Sequence, residues 1–337
     1  MVHHIFDPAT AATMSAGLAG LIATDDGPSD EQQRMFIAFS RHFLLVEPPP
    51  ASTAEAPAPE TLAEELSGPA SRRRFVQMAV VLELCRHPAS DRQVALVGDY
   101  GSALGVGGDE LESVRAQVHE NAAAATDDFI RRFDRYVVEL SEFEFTRPEQ
   151  GRSDEQLWNE VHTLDRHPPG TLGSEYIGFH RRNGFDLPGP TTPSPAYYVS
   201  HDMNHVITGY EPTGPGEIAL GAFKLSMNDS EANWMASMAN VLIHEAGLIK
   251  HGTSAQFVPF GGAPYPGPDG QFGALSLPGA ADLVAESFAR GAACTSDFSR
   301  ADHLSLAHLP LAEVRERYQV TRPARLMRTD EIPGLWP

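Results

Sequence analysis

The spacing of the apolar residues constrains this chain most. They recur every three or four positions over most of its length, as on one face of a helix, and hardly any stretch alternates with period two. A chain patterned this way cannot offer a sheet with one dry and one wet face, so the expected class is all-α. Ala9 to Ala23 reads as a small-residue helix stopped by Asp25-Asp26-Gly27. Ser29 opens a second helix, with Asp30 and Glu31 at its positive end and Met35, Phe36, Phe39 and Phe43 at helical spacing. Arg72 to Cys85 is strongly apolar, and Ser90 is placed to cap Asp91 to Leu104. Asp109, after Gly107-Gly108, starts another helix, and Phe129 to Glu142 repeats the same apolar period.

Two segments break the pattern. EPPPASTAEAPAP, from Glu47 to Pro59, sustains neither helix nor sheet and reads as an exposed loop. TRPEQGRS, from Thr146 to Ser153, ends a long helical pattern where the character of the sequence changes. A chain of 337 residues exceeds the usual single-domain size. The expectation is two helical domains, 1–148 (with the Pro/Ala-rich loop at 47–59) and 149–325, and a tail at 326–337.

Charge and cysteine usage narrow the partners. Twenty-five basic against 45 acidic side chains leave a net charge of −20, which repels phosphate backbones, so nucleic acid is not an expected partner. Cys85 and Cys294 stand far apart, as in a reducing compartment. MVHHIFDPATAATM lacks the basic start and apolar run of a secretory signal, and no stretch approaches the ~20 apolar residues of a membrane span. The expected location is the cytoplasm, with room for peripheral contact with the inner membrane.

The chemistry concentrates in AYYVSHDMNHVITGYEPTGPGEIALGAFKL. Ala196 to Thr208 has helix length, its prolines lie ahead of it, and Gly209 is placed as its C-terminal breaker. His201 and His205, four apart, share a face roughly 40° wide at ~100° per residue, and Asp202 sits on the flank of that face. Two imidazoles so spaced can chelate one ion. The turn Gly209 to Gly216 is rich in breakers, and a second helix is expected to begin near Glu217, forming an antiparallel hairpin that lays Glu217 beside His205. Tyr197, Tyr198, Val199, Val206 and Ile207 surround these groups, and charged side chains in apolar surroundings need a partner. On the residues alone two readings stand. One is a divalent cation held by His201, Asp202, His205 and Glu217; the other is a metal-free polar network with His205 bonded to Glu217. The mixed nitrogen/oxygen set suits zinc first, and also accepts iron, manganese or magnesium.

Further candidates are weaker. NVLIHEAGLIKH (240–251) places His244 and His251 on one helix face; His244 is the candidate acid/base group, against a plain surface-helix reading. Phe257, Phe260, Tyr265 and Phe272 sit in a Gly/Pro-rich insertion, as a lid or as anchors of a long loop. His3, His4, His303 and His308 read as surface residues. Asp25, Asp26 and Glu31 read chiefly as caps and turn residues. An EF-hand is excluded by their spacing. GGDEL (107–111) lacks the Lys-Ser/Thr of a phosphate loop.

Two resemblances bear on these segments. HDMNHVITGYEPTGPGEIALGAFKL resembles the signature of the coenzyme Q biosynthesis protein four family: HDxxH, eleven residues, then Glu. PPGTLGSEYIGFHRRNGF upstream and ESFARGAACTSDFSRADHLSLAHLPLAEVRERYQV downstream are similar to that family's flanking segments. The resemblance implies a helical protein of ubiquinone biosynthesis whose His201, Asp202, His205 and Glu217 ligate a divalent ion near a groove for an isoprenoid tail. It implies either a catalyst removing the C1 carboxylate of a prenylated 4-hydroxybenzoate-derived ring with hydroxylation there, or a lipid-binding scaffold for other biosynthetic proteins. The breaks ATDDGPSDEQ (23–32) and SALGVGGDELESV (102–114) resemble the tellurite-resistance TerB-like helical family, whose members use acidic residues at such breaks, here Asp25, Asp26 and Glu31, to bind metal.

Overall fold

The structure, a computed structural model, describes residues 6–86, 90–107, 152–191, 195–245 and 273–324. Among them it is all-α, with no strand. The helices are α1 (Pro8–Ala23), α2 (Asp30–Ala38), α3 (Pro59–Glu65), α4 (Pro69–Leu84), α5 (Asp91–Leu104), α6 (Asp154–Val161) and α7 (Leu172–Asn183). They continue with α8 (Pro195–Thr208), α9 (Gly214–Met227), α10 (Glu231–His244), α11 (Ala280–Ala292), α12 (His303–Leu306) and α13 (Leu311–Tyr318). The helices expected at Asp109 and over 129–142, the boundary within 146–151, His3, His4, His251 and the aromatic residues of the 251–279 insertion lie outside the described residues.

Local chemistry sets the helix starts. Ser29 and Gln32 close a reciprocal capping box at α2, and Ser90 accepts from the Gln93 amide at α5. α2 runs on into one wider π-type turn over Phe39–Phe43. Gln32, fully buried, donates to the Leu82 carbonyl (2.9 Å) and to Gln93 Oε1 (2.7 Å), tying α2 to α4 and α5. The Pro/Ala-rich segment is less free than its composition suggests. A short 3-10 turn forms at Ala51–Thr53, the backbone at Glu55 and Ala56 lies directly against Gly20 of α1, and Tyr100 donates to the Pro57 carbonyl. Proline denies this segment regular structure but does not prevent it from packing.

One buried cluster runs through residues of both halves of the chain. Trp234 of α10 packs against Phe39 and Phe43 of the π-type turn, and Phe39 meets Phe288 of α11 edge-on. Arg74 of α4 donates to Asp229 (2.6 Å) and Glu231 (2.6 Å) at the start of α10 and lies over the Trp234 ring. α9 is flanked by α10 and α11, its main packing partners, while α8 lies chiefly on α7. A glycine permits a close approach of α9 and α11: a Cβ on Gly291 would run into the Phe223 carbonyl.

Candidate metal centre

The ligand helix ends as its sequence dictates. Gly209 takes a left-handed conformation (φ 82°), its amide bonds to the His205 carbonyl at 2.8 Å, and α8 stops at Thr208. α9 starts earlier than expected, at Gly214, because Thr213 accepts from the Gly216 amide and Pro215 fits the first turn, where an amide would have no intrahelical acceptor to lose. Glu217 still falls in that first turn, where the helix dipole favours a carboxylate. The expected hairpin is corrected in one respect. α8 and α9 touch only slightly, since a tight turn must join their ends but need not align their lengths. Gly216 lies so close to the Glu211 carbonyl that a Cβ would overlap it. Gly216→Ala is therefore expected to shift Glu217 and weaken metal binding by about 10–100-fold, the scale seen when groups that orient ligands are lost; competition with a chelator measures this.

Three of the four expected ligands converge. His205 Nε2 lies 3.1 Å from His201 Nε2 and 3.1 Å from Glu217 Oε1, and His201 Nε2 lies 3.4 Å from Glu217 Oε2. Among the described residues this is the one set of three or more metal-ligating side chains so gathered. Bonds of about 2.0–2.1 Å to a common ion require ligand atoms roughly 3 Å apart, so these separations fit zinc or another small divalent ion. The tautomer fits too. His205 Nδ1 donates to the Tyr210 carbonyl at 3.0 Å, which leaves Nε2 to face the other ligands, and the Phe179 ring stacks on the imidazole. His205 is fully buried, and His201 forms the more open side, with 17% of its side chain exposed.

Asp202 is the exception. Its carboxylate meets His180 Nε2 of α7 at 3.0 Å rather than joining the three. From the flank of the helix face it reaches whichever neighbour packs there, and α7 supplies an imidazole. His180 Nδ1 donates to the Asp186 carbonyl at 3.1 Å, which turns Nε2 toward the Asp202 carboxylate. His180 was missed by motif reading; the available signal was a histidine within the apolar face of Leu172, Tyr176 and Phe179.

Two buried arginines hold the C-terminal end of the ligand helix. Arg315 of α13 donates to the Ile207 and Val206 carbonyls at 3.0 and 2.9 Å. Arg290 of α11 donates to the Thr208 carbonyl at 2.8 Å. They satisfy carbonyls that a helix end leaves without partners and complement its negative dipole. Burial first, then the neighbouring Arg290 charge, pushes Arg315 down to about 9. His303 is corrected from surface to core: fully buried, it bonds through Nε2 to Asn204 Oδ1 at 3.0 Å, whereas His308 is exposed as expected. Burial pushes His303 down to about 4, which keeps it neutral.

The electrostatics couple the ligands. Burial opposes charge on both His205 and Glu217. Their mutual attraction prevails, raising the imidazole above its ordinary 6.5 and holding the carboxylate, with His201 adding to the effect, well below its ordinary 4.5. For His205 this stabilisation is fully present below 6.5 and is lost as pH rises through the raised value. For Glu217 it is present above 4.5 and is lost as pH falls through the depressed value. The metal-free protein is accordingly expected to gain most from this pair between about pH 4.5 and 6.5. Melting scans against a His205→Gln/Glu217→Gln double variant should show the gap closing on both sides of that window. A bound cation displaces the shared proton, so metal affinity should rise with pH.

His244 stands partly buried at the end of α10. Burial, opposed by Glu217 and aided by His205 and His201, pushes it to about 4. It is thus a neutral imidazole within electrostatic reach of all three ligands. Asp25, Asp26 and Glu31 form no such set: Asp25 takes a left-handed turn conformation and accepts from Ser90 Oγ, and Glu31 lies in the first turn of α2.

No family model matches the chain, and no curated protein matches it in sequence. Among solved structures it is similar to a protein named for ubiquinone biosynthesis from Nostoc punctiforme PCC 73102, at 17% identity over 63% of this chain and 95% of that one, with a TM-score of 0.35. At that score the likeness supports neither a superposition of sites nor a shared activity. Among the described residues no helix is long and apolar enough to cross a membrane.

Proposed function

We propose that this protein is a metal-dependent enzyme of quinone-type biosynthesis, acting on a prenylated aromatic ring, with His201, His205 and Glu217 as ligands of a divalent cation. The observation that carries the proposal is the convergence of two imidazole nitrogens and a carboxylate within 3.1–3.4 Å. A structural zinc is closed by four protein ligands, whereas the three gathered among the described residues leave a position for water or substrate, which favours an enzyme over a scaffold stapled by its metal. The motif resemblance supports the substrate class, an isoprenoid-tailed ring whose carboxylate leaves as carbon dioxide while that carbon gains a hydroxyl, with dioxygen as the oxidant. When bound, zinc, or iron, manganese or magnesium in its place, would act as a Lewis acid on a substrate carboxylate or phenolate.

The remaining roles fall to the chain. His205, locked by Tyr210 and Phe179, fixes the site, His201 forms its accessible side, and neutral His244 is the candidate proton acceptor. Asp202 and His180 set the polar environment alongside. The lipophilic substrate is consistent with peripheral contact with a membrane surface and with other biosynthetic proteins as partners.

The test is direct. Protein carrying one metal per chain is incubated with a prenylated 4-hydroxybenzoate labelled in its carboxyl carbon, with and without oxygen. Tight binding and release of the label support the enzyme; tight binding without turnover under any metal points to a scaffold. Absence of both contradicts the substrate class.

A further inference from the structure

The carbonyl that orients His205 lies outside the ligand helix. Tyr210 follows Gly209, whose left-handed conformation turns the chain back so that the Tyr210 carbonyl meets His205 Nδ1 at 3.0 Å. Beyond a helix end, and next to a glycine, such a carbonyl keeps its place only if other groups hold the segment. Arg290 of α11 does so from both sides. Its Nη2 donates to the Thr208 carbonyl at 2.8 Å, just before Gly209. Its planar guanidinium lies over the ring of Tyr210, just after Gly209, 4.9 Å from the centroid. One side chain thus grips both flanks of the glycine that could otherwise swing.

The grip is itself anchored. Arg290 Nε donates to the Thr321 carbonyl at 2.9 Å, Nη2 reaches the same oxygen, and the guanidinium lies 5.3 Å from the centroid of the Phe223 ring of α9. The next residue explains its closeness to α9. A Cβ on Gly291 would overlap the Phe223 carbonyl and Ser226 Oγ, so a glycine there lets α11 press in and carry Arg290 with it. Arg290 is 4% exposed and Tyr210 2%, so bulk water does not compete for these contacts. An arginine needed only to cap α8 would be complete at Thr208. This one also joins α9, the segment after α13 and the residue that supplies the His205 acceptor.

Resting on the metal-site reading above, we propose that Arg290 is a positioning residue for His205, acting through Tyr210 to hold the imidazole with Nε2 aimed at the other ligands. Two readouts test it. One is cobalt(II) affinity, measured by competition with a chelator. The other is the hydrogen-bonded His205 Nδ1 proton, followed by nuclear magnetic resonance in metal-free protein with isotope-labelled histidine and assigned by its loss in His205→Gln. Arg290→Gln is expected to weaken cobalt binding by about tenfold or more and to speed exchange of that proton with water. Tyr210→Leu keeps the carbonyl but removes the ring; it should act in the same direction on both readouts, with Tyr210→Phe retaining more affinity, and it serves as the second variant should Arg290→Gln fail to fold. Arg315→Gln removes donors from the same helix end, at Val206 and Ile207, and should lower the melting temperature with a smaller loss of affinity. Either readout unchanged in Arg290→Gln or in Tyr210→Leu, or a loss of affinity in Arg315→Gln as large as in Arg290→Gln, overturns the assignment. If the parent protein holds one cobalt per chain in those cases, the metal site survives. If the parent holds none while the proton still responds to Arg290→Gln, the metal reading falls and the hold of Arg290 on His205 stands.

Discussion

Replacing His205 with alanine is expected to strip the protein of stoichiometric metal, while Asp26→Asn leaves the metal content unchanged. His205 is the hub of the site, 3.1 Å from each of the other two ligands, fully buried and held by the Tyr210 carbonyl. An apparent binding energy of ~10 kcal/mol spread over three ligands gives about 3 kcal/mol per ligand, a loss of at least about a hundredfold in affinity. Asp26 lies at an acidic break in the chain and belongs to no gathered set of ligands. Elemental analysis after dialysis, with helicity checked by circular dichroism, reads both variants. Equal metal in the two would show that the ion, if any, sits elsewhere.

Arg74→Met is expected to produce the largest loss of stability. The Arg74 guanidinium and the Asp229 carboxylate are almost wholly buried, and the arginine also binds Glu231 and covers Trp234. Removing the cation leaves a buried carboxylate whose remaining side-chain donor is the Trp234 indole, a change that costs about 3–5 kcal/mol and lowers the melting temperature by on the order of 10 °C. The neighbouring Arg73 is a built-in control: it also pairs with Glu231, but it is more than half exposed. Arg73→Met should therefore cost no more than about 1 kcal/mol. Similar melting temperatures for the two variants would contradict the buried clamp between α4 and α10.

These two cases mark where sequence reading succeeds and where it stops. The trio was legible because its geometry is local: a four-residue step on one helix, then a turn that Gly209 and Thr213 specify, bringing Glu217 back to His205. All-helical architecture was legible for the same reason, since periodicity and caps are properties of short segments. Asp202 stands apart from the trio because its partner comes from α7, and helix spacing says that it flanks the ligand face without saying what packs on that flank. His303 was taken for a surface residue because histidine is polar, yet Asn204 on the ligand helix offers it a buried acceptor. Arg74, Arg290 and Arg315 carry no local signal of burial; their partners are carbonyls and carboxylates distant in the chain.

X-ray absorption at the edge of the metal that co-purifies with the protein tests the central claim most directly. The account predicts one ion per chain, with the outer-shell scattering of two imidazoles and only nitrogen and oxygen atoms in its inner shell, and loss of one imidazole contribution in His201→Ala. An ion coordinated by sulfur, or one whose spectrum shows no imidazole and does not change in that variant, would contradict it.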